Sequence, residues 1–190
     1  NLLNDVSALA NYKSQVEKES GPLMVFTRSS LLKEMGQTNE AISTLEAHPE
    51  SLLAFPYLNF LLGELKLARL DKDAERYLLK YIKSFKGASY LKASYQKLAW
   101  FALLVKEDPQ LYSTYISKVE DVGNTMLDED KSAQKEFESG LTPEKVLLQA
   151  RLQFDAGFFT EALRTLVESK SSFKSDDEKL EFTYRLGRIH

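Results

Sequence analysis

The sequence predicts an all-α fold, and three observations carry it. Apolar residues recur at spacings of three and four over most of the chain. In 57–70 (YLNFLLGELKLARL), Leu58, Leu61, Leu62 and Leu65 share one wide face. Val, Ile and Thr never gather into the alternating runs of a strand. Several periodic segments open on residues with a physical reason to cap a helix.

The expected helices, in order, begin with 2–19. Helices 23–35 and 38–48 are joined by a turn at Gly36. Helix 56–69 carries the leucine face above. Helix 72–85 sets Arg76, Lys80 and Lys83 on one stripe and Leu78, Ile82 and Phe85 on the opposite one. Helix 88–105 contains the longest apolar run, LAWFALLV at 98–105. Asp108-Pro109 opens 109–122 with a side-chain acceptor and a residue that has no amide hydrogen to leave unpaired. Helix 128–138 starts on DED, where carboxylates complement the helix dipole. Thr142-Pro143 opens 143–156 in the manner of Asp108-Pro109, and Gly157 turns the chain into 159–170. Ser175 with Glu178 has the spacing of a capping box before 176–190.

Composition removes whole classes of function. The chain has 190 residues, 43% hydrophobic and 28% charged, enough to bury a core and too apolar for disorder. No cysteine is present, which removes disulfide scaffolds, Cys-ligated metal centres and thiol nucleophiles. Twenty-five basic residues face 28 acidic ones, so no global field drives nucleic-acid or membrane binding. An eight-residue apolar run falls well short of the roughly 20 residues that span a bilayer. The chain opens on Asn1 and stops at His190 inside a helical pattern, so a piece of a longer protein is expected.

Internal repetition is the strongest signal. MGQTNEAISTL at 35–45 matches AGFFTEALRTL at 156–166 through Gly36/Gly157, Glu40/Glu161, Ala41/Ala162, Thr44/Thr165 and Leu45/Leu166. A degenerate third copy is RLDKDAERYL at 69–78, with Ala74 in the alanine slot. Small residues in the preceding helices extend the series as Ser29, Gly63, Ala99, Ala150 and Gly187, spaced by 34, 36, 51 and 37. The Leu-Gly pair recurs at 62–63 and 186–187.

On these residues the chain resembles the tetratricopeptide repeat (TPR) family, whose units run to about 34 residues. It is also similar to large bacterial TPR-like proteins of no assigned activity. The resemblance covers about 22–190. It implies a single domain, a right-handed α-solenoid of antiparallel helix pairs. The units would be 22–55, 56–90, 91–118, an insertion at 119–140, then 141–174 and a truncated 175–190. Residues 1–20 would close an earlier unit. The chain departs from the family at Lys66, where an aromatic is expected, and at Lys106-Glu107-Asp108-Pro109, where a turn glycine is expected.

Catalytic chemistry finds no support in the residues, and no catalytic, cofactor or metal residue is assigned. There is no Gly-rich phosphate loop, no G-x-S-x-G elbow and no H-E-x-x-H pair. His48, the sole internal histidine, sits beside Pro49 and reads as a loop residue; Glu46, His48 and Glu50 read as a solvated cluster. DKD, DED and SDDE lack the pattern of a calcium loop.

Between Arg76 and Lys106 lie seven basic residues and no acid, with seven of the 21 aromatics. Base stacking is one use of such interleaving. The stripe of Arg76, Lys80 and Lys83 fits better as a solvated ridge able to dock an acidic partner segment, and nucleic acid is not the expected partner. Acidic residues of 119–140 are its counterpart, either as an added helix, the preferred reading, or as a lid.

The resemblance implies a concave groove lined by the first helix of each unit. Its inward positions here would be Phe26, Ser30, Tyr57, Phe60, Glu64, Gln96, Trp100, Arg151, Asp155, Tyr184 and Arg188, a set rich in interface residue types. Trp100 serves equally as an anchor or as core. The family's clamp for a chaperone C-terminal carboxylate is not supported, because of its positions only Lys97 fits. A non-enzymatic scaffold holding a peptide or helix from a protein partner is therefore expected. The alternative is a regulatory or recruiting module of a larger protein. The missing cysteines and the resemblance lean towards a bacterial, extracytoplasmic setting.

Overall fold

The computed structural model describes residues 21–169 and 175–189; the expected helix over 2–19 lies outside them. Eleven α-helices and no strand form among the described residues. They are α1 (Pro22–Glu34), α2 (Thr38–Glu46), α3 (Pro49–Ala54), α4 (Tyr57–Ala68), α5 (Ala74–Ser84), α6 (Leu91–Phe101), α7 (Pro109–Asp121), α8 (Asp128–Ser139), α9 (Lys145–Asp155), α10 (Phe159–Glu168) and α11 (Asp176–Ile189). The expected helices within the described residues all form, with shifted ends.

Three differences have local causes. Residues 49–54 form a short helix, α3, that the pattern did not predict; Pro49 stands at its first position, where a missing amide hydrogen costs nothing. The segment expected as one helix from 88 to 105 starts only at Leu91 and ends in a π-helical turn, Ala102–Lys106. Thr142 does not cap a helix. The chain enters α9 through Glu144, whose carboxylate accepts the Leu147 amide at 2.7 Å. Asp108, by contrast, caps α7 as expected, accepting from the Gln110 and Leu111 amides.

The four hairpin turns share one device. A residue with positive φ follows the first helix of each pair: Gly36, Leu70, Glu107 and Gly157. Where glycine stands, this is free; Leu70 and Glu107 bear the crowding of a Cβ against the following carbonyl. Three of the turns close with the same bonds. Gln37 donates to Leu32, Asp71 to Lys66 and Phe158 to Gln153, each reaching five residues back to satisfy a helix-end carbonyl. In the fourth, the π turn lengthens the reach by one residue, from Asp108 to Ala102.

Small residues let the helices of each pair approach. Ala41, Ala74 and Ala162 are fully buried, as are Ser29 and Ala99, and Ala150 is nearly so. A Cβ on Gly63 would stand 2.8 Å from Leu78, so α4 and α5 touch where no larger residue fits. Gly187 departs from the series, being exposed with open space around it.

The most extensive packing joins α1 to α2, α4 to α5, α6 to α7 and α9 to α10. Between pairs, α2 rests on α4 and α5 on α6. The fourth pair then crosses back. Helix α9 packs on α4, and its Leu148, Leu152 and Ala156 share a core with Leu67, Trp100 and Phe101. Gly157 lies against Gly36, and Thr38 Oγ1 donates to the Ala156 carbonyl, so the turns of the two best-matching repeats meet. The acidic insertion packs as an added helix: α8 lies on α6 and α7.

Candidate functional site

The first helices α1 and α4, and α6 together with the residue that precedes it, each bring an aromatic residue and, seven positions later, a charged one. The pairs are Phe26 and Lys33, Tyr57 and Glu64, Tyr90 and Lys97. Seven residues are 20° short of two turns and rise about 10 Å, so in α1 and α4 the members of each pair lie on one stripe at different heights, and Tyr90, left-handed at the entrance to α6, reaches the same cleft as Phe26 and Tyr57. Side by side, the helices place the three aromatics in one cleft and the three charges in another.

The aromatic cleft is about 320 Å³, lined by Phe26, Phe55, Tyr57, Tyr81, Phe85, Ser89 and Tyr90. Its rings touch in series. Phe26 meets Phe55 and Tyr57 edge-on at 5.8 and 5.7 Å, Tyr57 lies 4.9 Å from Tyr90, and Tyr81 stacks on Phe85 at 5.0 Å. The loop that closes it is pinned where Tyr81 donates to the Ser89 carbonyl at 2.6 Å. Burial pushes the Tyr57 hydroxyl far above the ordinary phenol range, and the neighbouring Tyr90 and Glu64 add to the effect.

The charged cavity is about 420 Å³, lined among others by Lys33, Glu64, Gln96, Lys97, Trp100, Glu129, Arg151 and Asp155. Glu64 is gripped from both sides, by Lys97 at 3.0 Å and Lys33 at 3.2 Å. Burial alone would raise its carboxyl, but the charges and hydrogen bonds of the two lysines hold it down at about 2. Trp100 has cations over its ring, Arg151 at 4.7 Å and Lys97 at 5.3 Å.

Helix α8 builds the wall between α6 and solvent through two carboxylates. Asp130, fully buried, accepts from the Tyr90 amide at 2.7 Å and the Ala93 amide at 3.0 Å, and so caps α6 from another element. Glu136 accepts from Trp100 Nε1 at 2.9 Å, Gln96 Nε2 at 2.7 Å and the Tyr112 hydroxyl at 3.2 Å.

Of the residues expected to line a groove, Glu64, Gln96, Trp100, Arg151 and Asp155 come together at the charged cavity. Phe26 and Tyr57 line the aromatic cleft. Phe60 does not face a groove; at 1% exposure it is core between Tyr81 and Tyr90. Trp100 proves to be both core and lining. Tyr184 stands exposed on α11, away from both cavities, and the Arg188 side chain lies outside those described. On the ridge, Arg76, Lys80 and Lys83 are exposed; Arg76 lies over Tyr77 and pairs with Asp73 at 3.3 Å. Lys92 and Lys97 of the same basic segment are buried, Lys92 donating to the Val119 carbonyl. Glu46, read with His48 and Glu50 as a solvated cluster, is exposed and also pairs with buried Lys66 at 2.8 Å.

Sequence reasoning missed Lys33, Tyr90, Glu129 and Glu136. The first two were within reach, because the aromatic-to-charge spacing recurs in three helices. No helix among the described residues is long and apolar enough to cross a membrane. Comparisons with protein-family models, curated proteins and solved structures return no match for this chain.

Proposed function

We propose that the chain is a non-enzymatic interaction scaffold, a TPR-like array of helix pairs whose first helices bind a peptide or helix from a protein partner. The observation that supports this reading is the three parallel stripes of α1, α4 and α6. Each offers an aromatic side chain to one cleft and a charged side chain to a second cleft two turns further on. A ligand laid along the stripes meets an apolar anchor site and a polar site about 10 Å apart, which is how extended peptides are read by grooves.

Rigidity is the mechanism. Glu64 and Glu136 fix lining side chains, and Asp130 fixes the backbone at the head of α6, before any ligand arrives, so docking orders few groups. The four positive-φ turns hold the helices at set angles. The scaffold contributes geometry, and no bond need be made or broken in it.

Trp100, the sole tryptophan, lines the charged cavity and reports on it without a label. Peptides selected by display against the chain should change Trp100 emission on titration and should lose affinity for a Phe26→Ala variant. Selected peptides that bind without altering Trp100 emission, and bind Phe26→Ala equally well, would place the contact elsewhere and sink the reading.

A further inference from the structure

The two clefts differ in the chemistry they present, and that difference specifies a ligand. At the aromatic end Phe26, Phe55, Tyr57 and Tyr90 offer an apolar slot with one polar rim, suited to a single large side chain. At the other end the cations are already engaged. Lys33 and Lys97 grip Glu64, and Lys97 and Arg151 lie over Trp100.

Among the charged side chains that line the cavity, the fully exposed ones are acidic, whereas Lys33 and Arg151 are half-buried and Lys97 is buried. Asp128, Glu129 and Asp155 stand exposed at the cavity, and Glu34 stands exposed beside Asp155 on the adjoining surface. Asp128 is tied to Lys131 on the solvent side at 2.8 Å, and Glu129 and Asp155 are the other two exposed carboxylates that line the cavity. Glu129 also bears on the slot, since its charge raises both Tyr57 and Tyr90 further above the phenol range that burial sets. One acidic rim therefore serves both clefts.

We propose that the groove recognises a peptide segment bearing one aromatic or large aliphatic side chain and one Lys or Arg. The apolar side chain fills the slot of Phe26, Tyr57 and Tyr90, and the cation faces Glu129 and Asp155. The proposal rests on the scaffold reading above and names its ligand. Separation fixes the register. About 10 Å corresponds to three residues of a polyproline II chain, which has three residues per turn, or to seven residues of α-helix, so the two side chains share a face at i and i+3 or at i and i+7. A cationic partner is the opposite of the acidic one that the Arg76–Lys83 ridge would attract, so the two surfaces make contrary predictions.

The test uses fluorescence anisotropy with four dye-labelled synthetic decapeptides of Gly and Ser. They carry Phe and Lys at i and i+3, Phe and Glu at i and i+3, Ala and Lys at i and i+3, or Phe and Lys at i and i+7. The expected result is at least tenfold tighter binding of one Phe/Lys peptide than of the Phe/Glu and Ala/Lys controls. A Glu129→Lys, Asp155→Lys variant, altered only at exposed positions, should reverse the preference between Lys and Glu. Equal affinity for Lys and Glu peptides, with Phe still required, would overturn the charge assignment and leave the scaffold reading standing. Preference for the Glu peptide, unchanged in the double variant but lost in Lys80→Glu, Lys83→Glu, would move the site to the ridge. No binding by any of the four, to a chain whose circular dichroism is helical, would overturn this proposal; a display-selected peptide that still altered Trp100 emission would keep the scaffold reading.

Discussion

At the scale of single residues, two side chains carry costs that the rest of the fold absorbs. Glu107 takes a left-handed conformation, φ 55°, in an exposed turn where the first and fourth pairs use glycine. Relief of that crowding outweighs the added freedom of the unfolded chain, so Glu107→Gly should raise stability by about 1 kcal/mol in urea unfolding. Glu64 runs the other way. Its folded-state pKa lies below the unfolded value, so its contribution is present above about pH 4.5 and is lost as pH falls towards 2. That contribution is on the order of 2–3 kcal/mol at neutral pH. Glu64→Gln should therefore flatten the acid limb of the stability profile between pH 5 and pH 2, read by denaturant unfolding at each pH. A wild-type acid limb as flat as the variant's would mean that the lysine grip is weak in solution.

At the scale of elements, α6 depends on a helix that lies 40 residues further on. Tyr90 and Ala93 offer amides at the head of α6, and no side chain of that helix accepts them; Asp130 of α8 does. Removal of one acceptor orphans two buried donors, so Asp130→Ala should cost about 2–3 kcal/mol and speed hydrogen exchange at the Tyr90 and Ala93 amides first. Loss of protection spread evenly over the chain would contradict this. Elements were also the most legible level in the sequence. Leucine spacing in 57–70 and the Asp108-Pro109 cap mark helices without any tertiary information, because period and capping are local. Helix α3 escaped because six residues between Pro49 and Pro56 are too few for a periodic signal. Residues 88–90 escaped because Tyr81 of the preceding helix and Asp130, 40 residues beyond Tyr90, hold them out of the helix.

At the scale of the whole molecule, the first and fourth repeats touch across 121 residues of sequence, Gly36 against Gly157. Both glycines need positive φ, but only Gly157 also lacks room, since a Cβ there would sit 2.8 Å from Gly36 Cα. Gly36→Ala should thus cost about 1 kcal/mol, and Gly157→Ala roughly 1–3 kcal/mol more, read by thermal and denaturant unfolding. Equal costs would mean that the two turns do not meet in solution. Repetition in the sequence named both glycines but gave no reason for them to meet. The candidate site was half legible for the same cause. Phe26, Tyr57 and Glu64 followed from repeat position, whereas Lys33 was not singled out and Lys97 stood only as the one match to an otherwise unsupported clamp; both grip Glu64.

The central claim is that α1, α4 and α6 jointly present the binding face. Amide chemical-shift mapping with the Phe/Lys decapeptide tests it most directly. The largest perturbations should fall within Phe26–Lys33, Tyr57–Glu64 and Tyr90–Lys97, with Trp100 Nε1 among them, and α7 and the exposed Arg76, Lys80 and Lys83 of α5 should stay unmoved. Perturbations confined to Arg76–Lys86, or spread over α10 and α11 with the three stripes silent, would contradict the account.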